Sequence, residues 1–234
     1  MRLLSLAVLA VFASAAFAGT TGTTVLTYTI QNNTGAAAND LEVSLDNTAT
    51  PDVTSSSPFT AATASDFGVD FTGGSVAAGD SATFTLEESG DNFNNNPAVL
   101  SYDWTVDGAP VGGTQSPIFL RFTAPSSPIP DQEAYLYTED SADHNYDNLF
   151  VTQNGTSVLI ASTSGTFNDT STVPVTNTID MSAGVLDFGF TDTTLGVTVD
   201  GTFTPTPEPT TMGFCALMLL GTAFAVRRRQ LRKH

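Results

Sequence analysis

The chain has 234 residues and a formal net charge of −17, from 24 acidic and 7 basic residues. The charge is unevenly spread: residues 19–206 hold 23 Asp/Glu against one cation, Arg121, a net of −22, with no Lys. Such a surface repels nucleic acid and anionic lipid and excludes nucleic acid as a partner, while the single cysteine, Cys215, excludes an intramolecular disulfide and, with only two histidines, a zinc site.

The N-terminus has the layout of a secretory signal peptide over residues 1–18. Arg2 supplies the positive start, Leu3 to Phe12 is nearly all apolar, and Ala16-Phe17-Ala18 fits the small-x-small cleavage pattern. Cleavage after Ala18 makes Gly19 the expected mature start. An exported domain without disulfides must be held by its core alone.

From residue 19 to 201 the apolar pattern has period two, which predicts an all-β ectodomain. Leu26/Tyr28/Ile30, Leu41/Val43/Leu45, Ala82/Phe84/Leu86 and Leu100/Tyr102/Trp104/Val106 each alternate with polar residues, and Ile118/Leu120/Phe122 continue the series with Arg121 on the other face. One apolar and one wet face per strand is the habit of antiparallel sheets. Asn154-Gly155 predicts a tight hairpin, and Gly73-Gly74, Ala78-Gly79-Asp80, Asp107-Gly108 and Asp200-Gly201 read as further turns. About nine short strands and no helical period predict an antiparallel β-sandwich, and no fixed repeat supports a solenoid. Residues 202–209 read as a Pro/Thr stalk.

Several polar constellations lie in this region. Asp143-His144-Asn145-Tyr146-Asp147-Asn148 places oxygen ligands at alternate positions, the first half of a calcium loop, with Asp143, Asn145 and Asp147 as candidate ligands. Asn148 stands where Gly is usual, and Asn154 replaces the closing bidentate Glu, so the match is partial. No other cofactor is expected. Glu87-Glu88 with Asp91 and Asn94–Asn96 reads as a hydrated loop. His144 is the one histidine before the tail, no G-x-S-x-G surrounds any serine, and no carboxylate pair stands out, so no catalytic residue is assigned and no enzyme is expected.

Trp104, Tyr102, Tyr135, Tyr137 and Tyr146 are candidates for a glycan-binding face. Trp104 and Tyr102 share the apolar side of their strand and are expected in the core, whereas Tyr135 and Tyr137 alternate with Ala134 and Leu136 and are candidates for the outside. The triplets Thr27-Tyr28-Thr29, Thr83-Phe84-Thr85 and Thr202-Phe203-Thr204 raise ice binding, but without a repeat the β-propensity of Thr accounts for them.

The C-terminus carries the most specific signal. Pro207-Glu208-Pro209 precedes an apolar run, residues 210–226, and then Arg227-Arg228-Arg229 with Arg232 and Lys233. Seventeen residues of helix reach about 25 Å, the low end of a bilayer span. The arginines predict a cytoplasmic end, residues 227–234, with the acidic domain across the membrane.

Over about residues 205–233 this tail resembles the PEP-CTERM sorting signal of Gram-negative bacteria, a tail also labelled the ice-binding-protein C-terminal domain. Cys215 and Met218 interrupt the usual Ala/Leu/Gly run, and Gln230-Leu231 the basic end. The resemblance implies recognition at Pro207, Glu208 and Pro209 by an exosortase-type membrane protease-transferase. It implies cutting near that motif and transfer to the cell surface or exopolysaccharide matrix. The expected function is therefore a non-enzymatic surface or matrix protein. A calcium-dependent carbohydrate-binding or adhesion module and a polysaccharide hydrolase are the alternatives.

Overall fold

The computed structural model describes residues 22–46, 50–91, 98–123, 131–168 and 173–206. Ala16 and Ala18 of the signal peptide, the Pro207-Glu208-Pro209 motif, the apolar run 210–226 and Arg227, Arg228 and Arg229 lie outside the described residues, as do Asn94–Asn96.

All regular structure among the described residues is extended. In chain order the strands are β1 (Gly22–Gln31), β2 (Asp40–Leu45), β3 (Asp52–Ser57), β4 (Ala61–Ser65), β5 (Gly68–Thr72) and β6 (Ser81–Asp91). There follow β7 (Val99–Val106), β8 (Ala109–Gln115), β9 (Phe119–Thr123), β10 (Asp131–Tyr137), β11 (His144–Gln153) and β12 (Thr156–Ser157). The last are β13 (Gly165–Phe167), β14 (Val173–Pro174), β15 (Ile179–Asp180), β16 (Leu186–Asp192) and β17 (Val197–Pro205). Among these residues no helix is long and apolar enough to cross a membrane.

Every pairing is antiparallel. An eight-stranded sheet runs β12-β11-β16-β17-β1-β6-β3, with β13 also on β11. A five-stranded sheet runs β4-β5-β2-β7-β8, and a smaller one joins β14, β10 and β15 with β9 on β10. Because β1 and β2 fall in different sheets, the polar turn between them is a crossover rather than a hairpin.

Period-two patterning decides which side each residue takes. In β1, Leu26, Tyr28 and Ile30 are buried while Thr27 and Thr29 face outward. Cross-strand partners share a side, so Tyr28 beside Phe84 and Leu26 beside Gly201 and its neighbour Phe188 define one apolar face. Both smaller sheets pack on that face. Phe71 of β5 meets Phe84 at 4.6 Å between ring centroids, and Phe122 of β9 meets Phe188 edge-on at 5.2 Å. The Tyr28 hydroxyl, deep in this core, accepts a hydrogen bond from Val99 N at 3.2 Å, tying β1 to the start of β7.

Two of the tight hairpins have the chemistry their residues demand. Asn154 (φ 50°) with Gly155 (φ 75°) and Asp107 (φ 52°) with Gly108 (φ 76°) both occupy left-handed backbone, as a type I′ turn requires.

Four expectations are corrected. Leu100 and Val106 are not in the core: the register with β2 shifts between Ser44 and Leu45, which brings Val99 inward in place of Leu100, while Val106 lies beyond the last β2 pairing, Asp40 with Thr105, at the mouth of the Asp107-Gly108 turn. Asp200-Gly201 is no turn but the middle of β17, and Gly201 faces the core, where a Cβ would stand 2.7 Å from Leu26 Cδ2 and closer still to the Phe188 ring. Glu87 and Glu88 belong to β6, not to a loop, and Glu88 is buried. The expected stalk from 202 begins too early: Thr202 to Pro205 pair with β1, and Phe203 is fully buried.

Candidate functional site

The predicted calcium run adopts extended rather than looped backbone. Asn145 and Asp147 lie on the exposed side of β11, with Tyr146 buried between them and Asp143 just before the strand. Alternate residues of a strand stand about 7 Å apart and do not curl around one ion. The side chains bond locally instead. Asp143 Oδ1 accepts from Asn168 Nδ2 at 2.9 Å, Asn145 Oδ1 from Thr166 Oγ1 at 2.8 Å, and Asp147 Oδ1 from Asn148 N at 2.8 Å. Asn148 does take the left-handed conformation (φ 56°) that glycine would fill in a loop. Among the described residues no three His, Cys, Asp or Glu side chains gather around a point that would hold a metal.

His144, at the first position of β11, points inward and sits between two carboxylates. Its Nδ1 lies 2.8 Å from Asp192 Oδ2 and its Nε2 2.9 Å from Asp140 Oδ1. His144 and Asp192 are both almost fully buried. The hydrogen bond to Asp192 is the main reason that the imidazole pKa is pushed up to about 9; burial opposes the rise and Asp140 adds to it. The ring is therefore a cation at neutral pH, donating from both nitrogens. Asp192 is further held by Thr194 N and Leu195 N on Oδ1, at 3.0 and 3.2 Å, and by Ile118 N on Oδ2, at 3.3 Å. The group clamps the turn after β16, the start of β11 and the entry to β9. With both ring nitrogens committed to carboxylates, His144 has none left to activate a hydroxyl.

The candidate aromatic residues of β7 and β10 divide as their alternation predicts, whereas the candidate Tyr146 is turned away from any surface face. Trp104 and Tyr102 are buried in β7, and Tyr146 is buried in β11. Tyr135 and Tyr137 lie on the outward side of β10, whose Ala134 and Leu136 fill the core. Register sets Tyr135 opposite Arg121 and Tyr137 opposite Phe119. The Arg121 guanidinium carbon lies 5.2 Å from the Tyr137 ring centre and 5.8 Å from that of Phe119, within reach of a cation–π contact. The Tyr135 and Tyr137 rings meet edge-on at 6.4 Å.

Acids border this patch. Arg121 pairs with Asp46 at the end of β2, the Tyr135 hydroxyl donates to Glu133 Oε2, and Thr178 Oγ1 donates to Glu133 Oε1 at 3.5 Å. The bond to Glu133 is the main cause that raises the Tyr135 pKa, since ionising the phenol would set two anions together. Arg121 and Asp46 were not singled out as site residues in the sequence. The available signal was charge, because Arg121 is the one cation in residues 19–206.

The outer face of the large sheet carries the threonine triplets. Thr27 stands beside Thr85 and Thr29 beside Thr83, each pair hydrogen-bonded at 3.0 Å, and Thr191 meets Thr198 at 3.2 Å. Thr202 lies opposite Val25 and Asp187, which interrupts the array. The hydroxyls satisfy one another, as cross-strand threonines commonly do.

A scan of family models found no match to this chain, and searches of curated proteins and of solved structures found none either.

Proposed function

We propose that this chain is an exported, non-enzymatic bacterial protein of the cell surface or exopolysaccharide matrix, with a β-sandwich ectodomain delivered by a PEP-CTERM-type tail. The observation that carries this reading is the tail itself: Pro207-Glu208-Pro209, the apolar run 210–226 and the Arg227–Arg229 cluster, in that order. Proline disfavours helical backbone at the residue before it and in a helix interior, so the motif is expected to stay accessible to an exosortase-type protease-transferase. The cleavable signal ending at Ala18 supports the same route from the other end.

The domain between these ends supports an extracellular life. An all-β core without disulfides carries a net of −22, which keeps it soluble and repels nucleic acid. The sandwich reading rests on the two smaller sheets packing through Phe71 and Phe122 onto one face of the large sheet. The closed Asp140–His144–Asp192 group disfavours histidine-dependent hydrolysis.

The test is the intact mass, with terminal peptide mapping, of the native protein from host cells and medium. A product running from Gly19 to near Pro207–Pro209 is expected. A product that keeps Arg227 to His234 would overturn the sorting claim and leave a tail-anchored envelope protein.

A second reading, a carbohydrate-binding module, is favoured by one observation: Tyr135 and Tyr137 are turned outward beside Arg121. No geometry among the described residues favours the calcium-dependent form of it.

A further inference from the structure

We infer that the outward face of the β9–β10 pair is a binding site for a neutral polysaccharide, seated on Tyr135 and Tyr137 and hydrogen-bonded by Arg121, Asp46 and Glu133. This rests on the carbohydrate-binding reading and gives it a site and a ligand class.

The composition of the face differs from that of the large sheet's outward face. On the large sheet half of the outward positions of β1 and β6 are Thr, and Thr27–Thr85 and Thr29–Thr83 pair hydroxyl to hydroxyl, as sheet packing alone would favour. On β10 the equivalent positions are Glu133, Tyr135 and Tyr137. Of the five tyrosines, Tyr28, Tyr102 and Tyr146 are buried, so these two are the pair left at the surface. The one cation of residues 19–206 stands between them and Asp46.

A sugar ring has an apolar C–H face and a rim of hydroxyls. The apolar face needs an aromatic ring with little rotamer freedom, and tyrosine supplies it. The rim needs planar groups that donate and accept side by side. The Arg121–Asp46 pair offers both in one place, and Glu133 offers a further acceptor beside Tyr135. Arg121 and Asp46 keep side-chain exposures of 37% and 32%, so their remaining hydrogen-bonding edges reach solvent.

Charge selects among polymers. The guanidinium is already balanced by Asp46, and the surrounding domain is strongly anionic, so a polyuronate or nucleic acid would be repelled. A polycation would be attracted to the whole surface and gain nothing from this patch. A neutral chain is the class whose recognition depends on the aromatic and planar groups themselves.

The test uses processed protein recovered from the host, run on native gels containing hydroxyethylcellulose, dextran or glucomannan, with polygalacturonate as the anionic arm. At least one neutral polymer is expected to retard the protein. Tyr135→Ala and Tyr137→Ala are each expected to weaken that retardation by about tenfold, the loss of one stacking contact. Tyr135→Phe, which keeps the ring, and Phe67→Ala, which removes an exposed ring elsewhere (68% exposed), are expected to retain it. Protection of Tyr135 from nitration by the same polymer gives a readout that needs no variant. Lack of retardation by every neutral polymer, retardation by polygalacturonate alone, or retardation that survives both alanine variants would each overturn the proposal. A protein trimmed at both ends yet indifferent to neutral polymers would overturn it while leaving the sorting reading intact.

Discussion

His144 and Asp192 are 48 residues apart in sequence, yet Nδ1 and Oδ2 lie 2.8 Å apart in the interior. The pair works because each partner removes the other's burial cost and because backbone amides complete the carboxylate's bonding. Its effect on stability has a definite sign. The folded pKa of His144 is about 9, above the ordinary value of 6.5, so the folded state holds its proton more tightly than the unfolded chain. The stabilisation is complete below pH 6.5 and is lost as pH rises through about 9. Denaturant melts across that range are expected to show stability falling with pH, and the fall should vanish in His144→Gln.

The same substitution at neutral pH removes the cation and leaves Asp192 buried against its amides. A cost of about 3 kcal/mol is expected, as for breaking other buried pairs from one side. Asp140→Asn should cost less, because the Asp140 side chain is 37% exposed and water replaces what is lost. Urea titrations of the two variants would check the order; equal costs would contradict it.

Gly201 is a position where one methyl group is too many. Its added Cβ would press on Phe188 and Leu26, both in the core and both on strands that cannot withdraw independently. Gly201→Ala is expected to destabilise by about 1–3 kcal/mol, the usual cost of overpacking. A shift of the urea midpoint without a change in slope would identify it as packing strain rather than a looser fold.

The threonine pairs give a cleaner measurement of sheet energetics. Thr27 and Thr85 bond directly across β1 and β6. A double-mutant cycle with Thr27→Val and Thr85→Val is expected to return a coupling of about 0.2–1 kcal/mol.

Calcium at millimolar concentration is expected to leave the melting temperature unchanged, since Asn145 and Asp147 lie along a strand. A rise that disappears in Asp143→Ala with Asp147→Ala would show that the segment can refold around an ion.

Alternation carried much of the fold into plain view. It placed Leu26, Tyr28, Ile30, Ala82, Phe84 and Leu86 inside and left Tyr135 and Tyr137 outside, because a single period governs both faces of a regular strand. It failed at Leu100, where a register shift adds one residue and reverses the sides, since nothing local encodes what the partner strand does, and at Val106, which keeps the parity of Trp104 but lies past the end of the β2 pairing. Asp200-Gly201 misled for a different reason. The glycine is there for a close approach of Phe188, and a sequence cannot separate that need from a turn's need for positive φ. The pairings of β12 to β15 are two or three residues long, too short to show a period. The His144 group was invisible because its parts come from distant segments, whereas the β10 tyrosines were legible because they share one strand.

One pairing bears on when the domain can take shape. β1 is flanked by β6 and β17, and Gly22 pairs with Pro205, so the first strand of the fold completes its hydrogen bonding only against the last. Such a contact closes a loop of nearly the whole domain and forms slowly. On the proposed export route, the central sheet would therefore lack its β17 edge beside β1 until residues 197–205 have emerged. Strand order would then act as a timer, delaying closure of the sheet until the segment leading to the proposed sorting motif arrives.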